Sequence, residues 1–110
     1  SIPLIIHGTN KDAWENHIQR NGLNRMTRNH IHFARGLPGS NGVVSGMRRG
    51  SQILIYIDAE ACAMDGVSFY KSDNGVILCP GVDNGTLPIR YFSSVIEAKT
   101  NKELLLQEIK

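Results

Sequence analysis

The apolar runs of this sequence are short, and their length restricts the fold more than any other feature. The strongest run, "ILIYI" at residues 53–57, is rich in β-branched and aromatic residues, as is typical of a strand. Strand patterns also occur in "PLIIHGT", "NHIHF", "VSFYKS", "VILCPG" and "YFSSVIEA". Roughly six short strands without regular alternation of strand and helix predict an α+β fold with a mostly antiparallel sheet.

The first helix is predicted directly after the "HGT" that ends the first strand pattern. Asn10 or Asp12 would cap its N-terminus. Trp14, Ile18 and Leu23 recur at approximately helical spacing, and Gly22 follows the last turn as a stop signal.

Three further helical segments and one hairpin complete the predicted elements. "VVSGMRRG" is expected to form a short helix closed by Gly50, "AEACAMDG" a helical turn ended by Gly66, and "NKELLLQEIK" a terminal helix. Asn74 and Gly75 are the residues that a tight hairpin turn prefers, and they lie between two strand patterns.

Size and composition indicate one folded domain. The chain has 110 residues, of which 41% are hydrophobic and 20% charged, close to globular averages. The apolar runs fall far short of the roughly 20 residues that cross a bilayer, so we expect no membrane segment. The net charge of +2 implies that any contact with nucleic acid is local.

The cysteines and the first residue bear on compartment and on chain limits. Cys62 and Cys79 have no CxxC spacing, which disfavours a disulfide scaffold or zinc ribbon and fits a reducing, intracellular compartment, cytoplasmic or nuclear. One disulfide between them stays open. No targeting peptide is recognisable. Because the chain begins at Ser1 and enters a strand pattern at once, we expect an excised domain.

The tripeptide "HGT", His7-Gly8-Thr9, is the first candidate for chemistry. A strand that ends in Gly lets a ligand approach the main chain, and His and Thr can bond sugar hydroxyls or phosphate oxygens. The alternative is a simple turn with a capping Thr.

The second candidate is "RMTRNHIHFARG", residues 25–36, which combines three arginines with two histidines. On a strand, His30 and His32 would share one face and Ile31 and Phe33 the other. Two imidazoles on one face could contact a ligand, but a metal needs a third ligand that no spacing supplies. We therefore expect no metal. Taken alone, Arg28 reads as a surface residue.

The third candidate, "SGMRRG" at residues 45–50, supplies a hydroxyl, a permissive glycine and guanidiniums that suit phosphate or pyrophosphate oxygens. An arginine-rich surface turn is the alternative. Among the carboxylates, Asp58 and Asp65 could hold a ribose or cap a turn, and no pair at catalytic spacing supports a glycosidase.

Taken in order, "HGT", "MTRNHIHFARG", "GVVSGMR", "ILIYID", "DGVSFYKSDNGVIL" and "YF" resemble the RNA 2′-phosphotransferase (tRNA 2′-phosphotransferase) family in its eukaryotic, fungal form. The resemblance covers roughly residues 4–97 and rests on several motifs in the right order at compatible spacings.

The resemblance implies a fold related to ADP-ribosyltransferases and NAD⁺ as co-substrate. In that family, an internal RNA 2′-phosphate left at a tRNA splice junction attacks the anomeric carbon of the nicotinamide ribose and expels nicotinamide. A neighbouring ribose hydroxyl then resolves the ADP-ribosylated phosphate. The products are RNA with a free 2′-OH and ADP-ribose 1″,2″-cyclic phosphate.

The resemblance also assigns roles to individual residues. Arg28 matches the essential arginine, whose guanidinium suits a dianionic phosphate nucleophile better than a carboxylate would. The positions that match NAD-contacting residues are His7, Gly8, Thr9, His32, Ser45, Gly46 and Arg48.

One departure from the family concerns the rest of its catalytic set. The family's N-terminal winged-helix-like lobe supplies an Arg-His pair and a further Arg, and none of that lobe is in this sequence. We therefore expect a single NAD-binding catalytic lobe over residues 1–110, monomeric, that binds NAD⁺ but performs little phosphate transfer alone.

Two other functions stay open. One is a stand-alone ADP-ribosyltransferase or NAD glycohydrolase. The other is a small RNA-binding module, for which the aromatic residues offer no obvious base-stacking platform. The cationic surface of such a module would comprise Arg25, Arg28, Arg35, Arg48 and Arg49.

Overall fold

The computed structural model describes residues 4–36 and 50–105, and within them eight short strands form three antiparallel sheets. The sheet orders are β1-β4-β8, β2-β7 and β3-β6-β5. This confirms the predicted α+β class with mostly antiparallel pairing. The strands are β1 (Ile6–Thr9), β2 (Leu23–Asn24), β3 (Ile31–Phe33), β4 (Ile53–Ile57), β5 (Tyr70–Lys71), β6 (Ile77–Cys79), β7 (Thr86–Leu87) and β8 (Phe92–Glu97).

Helix α1 follows β1 directly and is continuous over residues 11–21. It consists of an α-helical turn at Lys11–Ala13, a π-helical stretch at Trp14–Ile18 and a last α-helical turn at Gln19–Asn21. The Asn10 side chain accepts a hydrogen bond from the Ala13 N–H at 2.7 Å, so Asn10 is the N-cap.

The remaining helical elements are short. Helix α2 spans Ala59–Met64, and a 3₁₀ turn spans Ile89–Tyr91. Gly66 follows α2 with a φ of 74°, as the sequence predicted. Within the described ranges, no helix is long and apolar enough to cross a membrane.

One backbone pair joins the first sheet to the third. Ile6 and Ala34 exchange two hydrogen bonds, with N···O distances of 2.8 and 2.7 Å. The pairing is antiparallel, so the start of β1 lies next to the residue that follows β3. This contact brings the predicted "HGT" and "NHIHF" segments together.

The core lies between the sheets and α1, and β4 shows how the sequence builds it. Ile53, Ile55 and Ile57 are buried, whereas the alternating Leu54 and Tyr56 are half-buried, as expected of a strand whose two faces differ. The other core residues are Ile5, Trp14, Ile18, Leu23, Ile31, Phe33, Cys62, Ile77, Cys79, Leu87, Tyr91, Phe92 and Val95.

Both cysteines contribute buried thiols to this core and are not bonded to each other. Burial raises the pKa of the Cys62 thiol to about 11, with the Cys79 thiol as the next cause. Burial also raises the pKa of Cys79. Because the thiolate is the reactive form, both cysteines act as apolar core residues.

The predicted hairpin is confirmed, and the predicted terminal helix is wrong where it can be checked. β5 pairs antiparallel with β6 across a turn that contains Gly75 at a φ of 85°. Residues 101–105 are not helical. The Glu103 carboxylate instead accepts the N–H of Val95 at 2.9 Å and the Ser94 hydroxyl, so contacts with β8 outweigh local helix propensity. Residues 106–110 lie outside the described residues.

Candidate functional site

A cleft of about 1260 Å³ opens beside β1, β3 and α1. All four histidines of the chain line it, together with two arginines, and none of the described residues that line it is Asp or Glu. Such a lining favours an anionic ligand. The six residues are His7, His17, Arg25, Arg28, His30 and His32.

His7 is held in one orientation by β3. Its Nδ1 lies 2.8 Å from the carbonyl oxygen of His32, and a carbonyl only accepts, so Nδ1 carries the hydrogen. The His7 ring also contacts the Phe33 ring, with centroids 5.8 Å apart in a T-shaped arrangement. In the neutral imidazole, Nε2 is therefore a hydrogen-bond acceptor.

The environment of His7 favours that neutral form. Burial is the main cause that lowers its pKa below the ordinary value of 6.5, and the His32 imidazole contributes in the same direction. The hydrogen bond to the His32 carbonyl acts against both. At neutral pH, His7 is thus an uncharged ring that offers an acceptor.

His32 repeats this arrangement one strand away. Its Nδ1 lies 3.1 Å from the carbonyl oxygen of His30, so Nδ1 is again the donor and Nε2 is left for a ligand. The predicted strand "NHIHF" begins only at Ile31. His30 lies in a bend before β3 but still lines the cleft.

The "HGT" motif is part of a strand and not a capping turn. Gly8 pairs with Leu54 and Thr9 with Ile53 across β1 and β4. The cap of α1 is Asn10, which overturns the alternative that Thr9 is there as a cap. Gly8, which has no side chain, lines the cleft with its main chain.

Arg28 is exposed at the end of a turn that is fixed by Arg25. The Arg25 Nη1 donates to the Arg28 carbonyl at 2.9 Å, and the Arg28 N–H donates to the Arg25 carbonyl at 3.0 Å. Across residues 4–36 and 50–105, the Arg28 guanidinium has no hydrogen-bond or ion-pair partner. It is therefore available to a ligand in the cleft.

Gly85 and the start of β7 hold this turn in place through hydrogen bonds. The Arg25 N–H donates to the Gly85 carbonyl at 2.9 Å, and the Asn24 amide donates to the Thr86 hydroxyl at 2.9 Å. A Cβ on Gly85 would lie 2.5 Å from Cγ and Nε of Arg25. Gly85 thus leaves the space that the Arg25 side chain occupies.

The sequence did not identify every cleft residue. Ala13, His17 and Asn21 line the cleft from α1, and their spacing of four residues places them on one helix face. That spacing was the available signal for His17. The supporting roles of Arg25 and Gly85 depend on contacts distant in sequence, and no local pattern indicates them.

The predicted site residues come together as far as the structure describes them. The cleft contains five of them. Gly50, the last residue of the predicted phosphate-binding segment, and Ser51, which follows it, also line the cleft. Ser45, Gly46 and Arg48, with the predicted helix at 43–50 up to residue 49, lie outside the described residues. The five are His7, Gly8, Thr9, Arg28 and His32.

Carboxylates take structural roles away from the cleft. Asp58 caps α2 by accepting the Ala61 N–H at 3.0 Å, and Asp65 accepts the Tyr91 hydroxyl at 2.7 Å. The capping alternative is confirmed for Asp58. No group of three or more His, Cys, Asp or Glu side chains that could hold a metal occurs in the part of the chain described.

Comparison with known families decides the relationship. The family model "RNA 2′-phosphotransferase, Tpt1/KptA family" matches residues 1–81. The chain belongs to this family. Family membership confirms the resemblance recognised from the motifs, and the matched range includes the whole of β1, α1 and β3.

Individual family members agree with this assignment. A relative from Schizosaccharomyces pombe, whose name contains "tRNA 2′-phosphotransferase", is 54% identical over 95 residues, covering 86% of this chain and 26% of the relative. tRNA 2′-phosphotransferase 1 of Bos taurus is 40% identical over 106 residues, covering 96% and 41%. tRNA 2′-phosphotransferase of Saccharomyces cerevisiae is 30% identical over 93 residues, covering 84% and 38%. The chain thus spans less than half of each relative.

Proposed function

We propose that this chain is the NAD-binding lobe of an RNA 2′-phosphotransferase with an ADP-ribosyltransferase-like fold. The enzyme would transfer the internal 2′-phosphate of spliced tRNA to the ADP-ribose part of NAD⁺, with nicotinamide released and ADP-ribose 1″,2″-cyclic phosphate formed. Family membership supports the reaction class. The observation that carries the proposal is the cleft in which His7, Arg28 and His32 meet without a carboxylate among its described lining residues.

The residues present fit NAD⁺. The cleft volume of about 1260 Å³ is above the roughly 300–1000 Å³ of ordinary ligand and cofactor pockets, so the cleft has room for a dinucleotide. Nε2 of His7 and Nε2 of His32 would accept hydrogen bonds from ribose hydroxyls, because the Nδ1 atoms are committed to carbonyls. Gly8 would let the dinucleotide approach the backbone of β1.

When bound, NAD⁺ supplies an electrophilic ribose carbon and a leaving group. The task of this chain would be to hold the RNA phosphate against it. A guanidinium forms forked, charge-assisted hydrogen bonds with phosphate oxygens, and the exposed Arg28 lines the same cleft as the two acceptor histidines. Arg28 would therefore bind and orient the 2′-phosphate.

The absence of a carboxylate among the described lining residues favours a phosphate over protein or water as the acceptor of ADP-ribose. A carboxylate beside the reacting ribose would repel a dianionic phosphate, and none of the described residues in the lining is acidic. The resemblance places three further catalytic groups on an N-terminal lobe. We therefore expect binding from this chain and efficient transfer only from both lobes together.

Phosphate-dependent RNA binding tests this proposal. A short single-stranded RNA with one internal 2′-phosphate, and the same RNA with a 2′-hydroxyl, are titrated against the chain in the presence of NAD⁺. We expect the phosphorylated RNA to bind about tenfold more tightly, because charge-assisted hydrogen bonds contribute about 1.5–3 kcal/mol. Equal affinity for the two RNAs would contradict the proposal.

A further inference from the structure

The sheet β3-β6-β5 carries a row of three side chains that runs from the cleft to its outer edge. His32 pairs with Leu78, and Leu78 pairs with Tyr70. Residues directly opposite each other in antiparallel strands project from the same face. His32, Leu78 and Tyr70 therefore share one face, and His32 lines the cleft at its inner end.

The two faces of this sheet have different environments. Ile31, Phe33, Ile77 and Cys79, which alternate with the row, are buried in the core. On the row itself His32 and Leu78 are half-buried, and Tyr70 is 55% exposed at the edge strand. A large aromatic ring in such a position has no role in core packing.

His30 holds the Tyr70 ring in place. The two rings form a T-shaped contact with centroids 6.1 Å apart and an interplanar angle of 68°. His30 itself lines the cleft and lies two residues after Arg28 in the chain. The exposed ring is thus continuous with the surface that Arg28 offers to phosphate.

We propose that Tyr70 stacks on an unpaired base of the RNA substrate, next to the nucleotide whose 2′-phosphate Arg28 holds. The inference rests on the proposed function and names a base-binding position within it. Single-stranded RNA is commonly recognised by exposed aromatic rings on a sheet beside a cationic groove. This sheet supplies both, with Tyr70 at its outer edge and the cationic cleft at the other end of the row.

The surroundings favour a nucleobase over a protein partner as the occupant. The row offers one aromatic ring and one half-buried leucine. Their exposed surface suits a single base and is much smaller than the roughly 800 Å² that each partner buries in a stable protein interface. Its charge complements a phosphodiester chain, since the described residues of the adjoining cleft include two arginines and no carboxylate.

The test is a double-mutant cycle between Tyr70 and the base. The 2′-phosphorylated RNA is prepared in its natural form and with an abasic nucleotide on either side of the phosphorylated one. Its affinity is measured in the presence of NAD⁺ for the wild type, Tyr70→Ala, Tyr70→Phe and Met64→Ala. Met64, 82% exposed on α2, is the matched surface control.

We expect Tyr70→Ala to weaken binding of the natural RNA about tenfold, because a stacked base contributes about 1–3 kcal/mol. The same substitution should leave the affinity for one of the two abasic RNAs unchanged, because that RNA lacks the stacked base. Tyr70→Phe, which keeps the ring, and Met64→Ala should bind within about twofold of the wild type.

Three results would overturn the inference. The first is an unchanged affinity of Tyr70→Ala for natural RNA, and the second is an equal loss with both abasic RNAs. The third is a loss of NAD⁺ affinity in Tyr70→Ala measured without RNA, which would assign the ring to the adenine of NAD⁺. If 2′-phosphorylated and 2′-hydroxyl RNAs still differ in affinity for the wild type, the proposed function survives any of these results.

Discussion

Nδ1 of His7 donates a hydrogen bond to the carbonyl oxygen of His32 at 2.8 Å. These residues are 25 positions apart, on β1 and β3, and the bond lies beside the Ile6–Ala34 pair that joins the two strands. The bond fixes the orientation and tautomer of His7, and both the "HGT" and the "NHIHF" segments line one cleft.

The first prediction concerns pH and stability. The pKa of His7 is lowered in the folded state, so below pH 6.5 the unfolded chain binds a proton that the folded chain does not. The contribution of His7 to stability is therefore complete above pH 6.5 and decreases as the pH falls below it. The slope is at most about 1.4 kcal/mol per pH unit.

Urea unfolding followed by the fluorescence of Trp14 at pH 5.5–7.5 measures this slope. His7→Asn keeps a side-chain N–H for the His32 carbonyl but cannot titrate, so the slope should be shallower in the variant. An identical slope in both proteins would show that His7 is not the titrating group.

The second prediction concerns Arg28. Arg28→Ala should abolish the preference for 2′-phosphorylated over 2′-hydroxyl RNA, a change of about tenfold or more. Because the side chain is exposed, the melting temperature should stay within about 2 °C. Arg20→Ala, at an exposed position of α1, is the control and should bind as the wild type does. Equal losses in both variants would indicate a general charge effect.

The third prediction concerns the support of the Arg25 turn by Gly85. Gly85→Ala places a Cβ 2.5 Å from Arg25 at a φ of 74°, whereas Gly66 has the same φ and open space around it. Both substitutions should reduce the stability of the fold by about 1–2 kcal/mol, because alanine is strained in the left-handed backbone conformation. The clash with Arg25 should destabilise Gly85→Ala by about 1–3 kcal/mol more. Only Gly85→Ala should weaken binding of 2′-phosphorylated RNA. Denaturant unfolding and the RNA titration together measure both effects, and equal behaviour of the two variants would refute the supporting role.

The fourth prediction concerns Phe33, which is fully buried and contacts the rings of His7 and Phe69. Phe33→Leu should destabilise the fold by about 1–2 kcal/mol and weaken NAD⁺ binding, because His7 loses its ring contact. Phe92→Leu, which alters a core ring in contact with Trp14, should cost similar stability and leave NAD⁺ affinity unchanged. Calorimetric titration with NAD⁺ separates the two, and parallel losses would show that Phe33 acts through stability alone.

The sequence predicted the elements whose signals are local. The strand at Ile53–Ile57 and the hairpin turn at Gly75 depend on neighbouring residues, and both are present in the structure. The helix cap was predicted as Asn10 or Asp12, and the structure has it at Asn10. The predicted terminal helix is wrong at residues 101–105, because the Glu103 carboxylate accepts a hydrogen bond from β8. No local pattern in the sequence indicates that contact.

The candidate site shows the same difference between local sequence signals and long-range contacts. The motifs indicated His7, Arg28 and His32, but the Ile6–Ala34 pair that unites them is a long-range backbone contact. The Arg25–Gly85 contact likewise joins segments 60 residues apart in the chain. Residue types identify candidate chemistry, whereas the tertiary pairing determines which candidates meet.

A titration of the chain with NAD⁺, followed by amide chemical shifts, tests whether NAD⁺ binds in the cleft beside β1 and β3. We expect saturable shifts at His7–Thr9 and at residues 28–32, with little change along α2, and a clear loss of affinity in His7→Asn. The expected NAD-binding segment at residues 45–48 should shift as well. The account would be contradicted by the absence of shifts at millimolar NAD⁺, or by saturable shifts centred on Ala59–Met64.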